Sequence, residues 1–194
     1  MNREVFLSIL AMDSYQRGYA PGINGLDFQP NVTKIGNATI LADSPRYQVT
    51  ASGQSVGFYA SAYQWGTDTV ISYRGTDFDI NTDGKGVFDS EFWKDLKDGW
   101  TTFLKIPPVP GTPLAYMLPA QFPLARAFFK AVTLRDFSDG TPEGDAPVAN
   151  TIVTGHSLGG ALAGFVDARA GVDSFLVDPI PYAVNDNDAE RMAA

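Results

Sequence analysis

The strongest chemical signal in this sequence is Gly155-His156-Ser157-Leu158-Gly159, with Gly160-Ala161-Leu162-Ala163 directly behind it. A serine hydroxyl becomes a useful nucleophile when a neighbouring base takes its proton, so it has to be presented at an exposed, fixed point of the backbone. Glycines two positions to either side allow a strand and a helix to meet around such a serine without Cβ clashes. A helix that begins immediately afterwards aims its free N–H groups at the place where negative charge develops during acyl transfer. The spacing alone is a loose pattern that occurs in many proteins without hydrolytic chemistry. Its weight here comes from context: Thr151-Ile152-Val153-Thr154 before it reads as a buried strand, and an Ala/Leu-rich helix follows.

The elements that must position this turn can be read along the chain. The N-terminus, MNREVFLSILAMDSYQRGYA, predicts an amphipathic helix, with Val5, Ile9 and Met12 spaced 4 and 3 apart on one face. Residues 18–37 are rich in Gly, Asn and Pro and predict a long loop, followed by short alternating runs over 38–50 and 54–64. Tyr59 to Trp65 reads as an edge strand, Gly66-Thr67-Asp68 as a turn, and Thr69-Val70-Ile71-Ser72-Tyr73 as a buried strand ended by Arg74-Gly75-Thr76-Asp77. A helical pattern covers 92–104, prolines break 106–123, and 124–134 is again helical. Strand 150–154, helix 158–168 and strand 174–177 make a βαβ unit, so the fold class is α/β with a mostly parallel sheet flanked by helices. Neither an internal repeat nor a second domain is visible.

Composition narrows the partners. Of 194 residues, 44 % are apolar and 19 % charged, with a net charge of -8, which suits a globular chain and gives no basic face for nucleic acid. The absence of cysteine excludes disulfides, thiolate catalysis and Cys-ligated metals. It does not identify a compartment, because an exported bacterial protein can also lack cysteine. The apolar run before Asp13 is too short for a secretory signal, and no segment approaches the roughly 20 apolar residues of a membrane span.

GHSLGGALA resembles the nucleophile segment of the class 3, fungal-type triacylglycerol lipases. Thr69 to Thr76, TVISYRGT, is similar to that family's strand ending in an aromatic-Arg-Gly-Ser/Thr segment, and the order and separation of the two segments also match. The similarity runs over residues 55–185, weakly over 80–125. It implies an α/β-hydrolase fold, with 1–194 forming the N-terminal part of one such domain. It also implies an oxyanion hole built from the backbone N–H, and often the hydroxyl, at Thr76 together with the N–H of Leu158. Arg74 and Gly75 also read plainly as a surface or ion-pairing residue and a turn residue.

A serine of this kind needs a histidine base and a carboxylate. The sequence has one histidine, His156, and a residue adjacent to the nucleophile in a strained turn points away from the serine hydroxyl. Packing or hydrogen bonding beneath the turn suits it better than base catalysis. The order Ser…Asp…His then places the base beyond residue 194 or on a companion chain. The acid is Asp178, at the end of the strand after the helix, or a residue beyond this chain. Val177-Asp178-Pro179-Ile180-Pro181 resembles the acid-bearing segment of pancreatic-type lipases, but lacks the Arg and Gly that fungal-type lipases carry at this strand end.

Residues 77–125 form an insertion between the two motif strands. Trp100, Phe103, Tyr116, Met117 and Leu118 within it are candidates to line an acyl pocket or a lid that opens toward a lipid surface, or else they complete a core. Asp79, Asn81, Asp83 and Gly84 begin like a calcium loop, but position 12 is Ser90, and an acidic turn fits as well. The expected activity is a lipase or phospholipase-like ester hydrolysis without a required cofactor. The alternative is an inactive hydrolase-like module that binds lipid.

Overall fold

The computed structural model describes residues 2–17, 33–43, 58–75, 121–137 and 150–179. Helix α1 (Arg3–Asp13) continues into a 3-10 turn at Ser14–Gln16. Six strands follow among the described residues: β1 (Lys34–Ile35), β2 (Ala38–Asp43), β3 (Ala60–Trp65), β4 (Asp68–Tyr73), β5 (Thr151–His156) and β6 (Asp173–Val177). Helix α2 (Gln121–Thr133) precedes β5, and α3 (Leu158–Ala170) joins β5 to β6.

The strands form one sheet in the order β1-β2-β3-β4-β5-β6. β1 to β4 pair antiparallel with one another, whereas β4–β5 and β5–β6 are parallel. The sheet is therefore mixed, and the expectation of a mostly parallel one holds only for the half that carries the motif. The reason lies in the connections. Gly66, at φ 61°, and Thr67 close a tight hairpin between β3 and β4, while β5 and β6 are separated by a full crossover helix. The Tyr59–Trp65 segment is not an edge strand: β3 is paired on both sides, to β2 and to β4.

Alternation sorts side chains to the two faces. Ala60, Ala62, Ile71, Tyr73 and Val153 pack with α2 and α3, whereas Tyr63, Val70 and Ile152 pack with α1. The result, among the described residues, is an α/β arrangement with helices on both faces of the sheet. On one face Phe122 of α2 meets Phe165 of α3 edge-on at 5.0 Å, and Phe137 packs against both Phe129 and Phe165 at 5.7 and 5.8 Å. The Tyr73 hydroxyl donates to the Ala125 carbonyl at 3.1 Å, tying β4 to α2.

Helix α1 forms where the sequence predicts it, with Asn2 as N-cap accepting from the Glu4 N–H at 2.9 Å. Its buried face is not the predicted one. Phe6, Leu7, Leu10 and Ala11 face the sheet, and Val5 and Ile9 are exposed. Both faces carry apolar residues, and the larger combined area of Phe6, Leu7 and Leu10 gains more from burial. Helix α2 starts three residues earlier than predicted, at Gln121, because Pro123 falls in the first turn, where its missing N–H costs no helical bond.

The end of α2 is fastened by Asp136, which accepts from Arg126 Nε and Lys130 Nζ, both at 2.8 Å. These hydrogen bonds, Lys130's first, pull the Asp136 carboxyl down to about 2 from an ordinary value of 3.8. A depressed folded-state pKa means a stabilisation that is complete above the unfolded value and lost as pH falls through the folded one. The site is solvent-facing, so Asp136→Asn is expected to cost less than about 1 kcal/mol at neutral pH. In urea titrations the gap between the two chains should close as pH is lowered from 4 toward 2.

Candidate active site

β5 ends at His156, and the chain turns directly into α3 through Ser157. Ser157 has φ 57° and ψ -123°, outside the left-handed well that non-glycine residues occasionally visit. Such a backbone costs of order 1–3 kcal/mol and persists where the surroundings impose it. The surroundings here are two closely packed segments. A Cβ on Gly155 would lie 2.3 Å from the Gly159 carbonyl carbon and oxygen, and one on Gly159 would lie 2.1 Å from the Tyr73 carbonyl oxygen. The two glycines of the motif are thus where β5, α3 and β4 touch backbone to backbone.

The strained turn is tied to β6 and to α3. Ser157 N–H donates to the Val177 carbonyl of β6 at 3.1 Å, and the Ala161 N–H of α3 donates to the Ser157 carbonyl at 3.2 Å. β4 and β5 run parallel with Tyr73 opposite Gly155, so the Arg74-Gly75 strand end arrives beside the turn. β6 ends level with it, His156 opposite Val177, and Asp178 follows at the next position with φ 44°. Pro179 lies against α3, since a Cβ on Gly160 would be 2.9 Å from its Cβ. The carboxyl ends of three adjacent parallel strands therefore converge on one edge, the place where α/β sheets hold ligands.

Ser157 is half-buried and Asp178 exposed, and Leu158 is buried as the first residue of α3. The first N–H groups of a helix have no partner within it, and the helix dipole favours negative charge at that end. An anionic oxygen close to Ser157 would meet this field. Thr76 lies just outside the described residues, as do the candidate pocket residues Trp100, Phe103, Tyr116, Met117 and Leu118 and the candidate calcium-binding segment at 79–91. Among the described residues no cluster of three or more His, Cys, Asp or Glu has the arrangement of a metal site, and no helix is long and apolar enough to cross a membrane.

Arg74 differs from its expected surface position. It is 1 % exposed, its guanidinium lies 5.2 Å over the Tyr59 ring, and its Nη1 donates to the Arg17 carbonyl at 3.5 Å. An arginine within a strand-end motif reads as polar, but here it fills space between β4 and the segment after α1.

That segment is the part of the site the sequence did not reveal. Arg17 forms an ion pair with Asp13, and the buried Tyr63 hydroxyl donates to Asp13 Oδ2 at 2.8 Å. Burial opposes the Arg17 charge, but the Asp13 hydrogen bond and charge outweigh it and raise the guanidinium's pKa. Burial, reinforced by the Asp13 carboxylate, pushes the Tyr63 phenol well above its ordinary range. Between these anchors Tyr15, 6 % exposed, reaches the turn: its hydroxyl is 3.1 Å from His156 Nδ1 and 3.4 Å from the His156 carbonyl oxygen. His156 Nδ1 thus faces Tyr15. No residue pattern near Tyr15 signals a contact made 141 positions away in the chain.

No protein-family model matches this chain, and neither a curated protein nor a solved structure matches it.

Proposed function

We propose that this chain carries the nucleophile of a serine carboxylic-ester hydrolase of the α/β-hydrolase type, acting on a hydrophobic ester as lipases and phospholipases do. The observation that carries this reading is Ser157 itself: a non-glycine residue at φ 57° and ψ -123°, between the end of a parallel strand and a helix N-terminus. Strain of this kind is retained where a reactive group has to be displayed.

In this reading Ser157 Oγ attacks the ester carbonyl carbon while a histidine takes its proton. The N–H groups of Leu158 and Thr76 hold the oxyanion, and the alcohol leaves with a proton returned by the histidine. Water then attacks the acyl-enzyme and regenerates Ser157. His156 is the one histidine of the sequence and is the residue next to Ser157, whose side chain a strained turn sends away from the serine hydroxyl; in this reading the base therefore comes from a continuation of the chain or a companion chain. Asp178, or a later residue, orients that base. In the same reading the apolar residues Trp100, Phe103, Tyr116, Met117 and Leu118, outside the described residues, would serve the acyl chain and transient contact with a lipid surface.

The test is intact-mass measurement after reaction with a fluorophosphonate, with imidazole added to stand in for the missing base. The expected result is one phosphonyl adduct on Ser157, formed faster with imidazole and absent from Ser157→Ala. No adduct under either condition, together with vesicle binding that survives Ser157→Ala, would replace this reading with a lipid-binding module that performs no acyl transfer.

A further inference from the structure

We infer that Tyr15 is a positioning residue for Ser157, fixing the peptide plane that leads into it; the inference rests on the reading of Ser157 as nucleophile. The peptide between His156 and Ser157 is planar, so its orientation is set once its two polar ends are held. One end is the Ser157 N–H, which donates to the Val177 carbonyl at 3.1 Å. The other is the His156 carbonyl, 3.4 Å from the Tyr15 hydroxyl. The register of β4 with β5 ends at Tyr73 and Gly155, so beyond that pair the strand ladder no longer supplies a partner on the β4 side. Tyr15 arrives at that point from the opposite end of the sequence.

The same hydroxyl is also 3.1 Å from His156 Nδ1. A phenol has one proton to donate and can also accept. With the ring proton on Nδ1, the imidazole donates to Tyr15 Oη and Tyr15 donates onward to the His156 carbonyl. With Nδ1 bare, Tyr15 donates to the ring. In both arrangements the hydroxyl bonds residue 156, immediately before the strained serine, and in the first, with the proton on Nδ1, it also donates to the carbonyl and holds the peptide plane. It also bears on the neighbouring strand end: a Cβ on Gly75 would lie 2.3 Å from Tyr15 Oη and 2.4 Å from the His156 carbonyl oxygen. Tyr15, Gly75 and His156 therefore meet at one point, between the strand end that leads to Thr76 and the turn that carries Ser157.

Tyr15 is itself held. The 3-10 turn that bears it lies between Asp13 and Arg17, whose ion pair is joined by the Tyr63 hydroxyl from β3. Loss of the phenol oxygen alone leaves these anchors and the ring in place, so Tyr15→Phe removes what the hydroxyl contributes and nothing else of the side chain.

The experiment uses the whole 194-residue chain and two readouts. One is the rate of fluorophosphonate labelling at Ser157 with imidazole present, and the other is hydrogen exchange of the Ser157 amide by NMR. Tyr15→Phe is expected to slow labelling by about tenfold, because small displacements of a reacting group carry large kinetic penalties. It should also speed exchange at Ser157 by about tenfold, while amides of β2 and β3 keep their rates. Replacing Tyr15 with 4-aminophenylalanine, which returns a donor to the same place, should restore both. That variant also decides the matter if Tyr15→Phe fails to fold. Labelling of Tyr15→Phe at the wild-type rate, or unchanged exchange at Ser157, overturns the inference. A wild-type chain that never labels overturns the reading of Ser157 as nucleophile instead, and the exchange measurement alone then decides whether Tyr15 holds the turn.

Discussion

Ser157→Ala is expected to abolish ester hydrolysis by the chain joined to its histidine-bearing continuation or companion, lowering the rate by about 10⁴-fold or more, since removal of a nucleophile leaves only what binding and oxyanion stabilisation contribute. The same position gives an independent structural result. Alanine keeps a Cβ and so keeps the unfavourable φ of 57° and ψ of -123°. Those angles are the mirror image of an ordinary extended conformation, which glycine adopts as readily as its inverse. Ser157→Gly should therefore be inactive like Ser157→Ala but more stable by about 1 kcal/mol, the strain relieved less the larger entropy glycine loses on folding. Urea titration of the two inactive chains makes the comparison without interference from chemistry. Equal midpoints would mean that the turn stores no strain, and hydrolysis surviving in Ser157→Ala would remove the proposed function.

Gly159→Ala has the largest expected effect on stability. Its new Cβ would stand 2.1 Å from the Tyr73 carbonyl oxygen and 2.8 Å from Arg74 C and Gly75 N. All three are backbone atoms, so no rotamer change makes room. α3 would have to withdraw from β4, separating Leu158 and Leu162 from a core that includes Ile71, Tyr73 and Val153. The expected cost is about 3–5 kcal/mol, a large part of what a domain of this size has to lose. Thermal denaturation would register it as a fall of roughly 10–20 °C, or as loss of soluble protein. Gly171→Ala is the comparison. Gly171 ends α3 at φ 63°, but a Cβ there meets nothing within 4 Å. Its cost is the backbone penalty alone, about 1 kcal/mol. If the two substitutions prove equal, the close approach of α3 and β4 is not what confines glycine to position 159.

The sequence by itself determined the kinds of element and the place of the motif. β-branched runs at 69–73 and 151–154 could only be comfortable as buried strands, and a Gly/Ala-rich stretch after Ser157 suited a helix pressed against them. Gly155 and Gly159 were legible as points of close approach because the residue type is itself the signal. Local pattern carries this information because periodicity and side-chain volume act within a few residues. Tertiary structure decided the rest. Which strands neighbour one another, and in which direction, depends on connections and register, so the sheet is mixed and β3 lies inside it. Which face of α1 is buried was open in a helix with apolar residues on both sides, and contact with Tyr63, Val70 and Ile152 settled it. Tyr15 meets His156 only because α1 and its 3-10 turn lie across the sheet near β5. A hydrogen bond between residues so far apart in the chain leaves no periodic trace, since nothing in either local segment constrains the other until the sheet has formed.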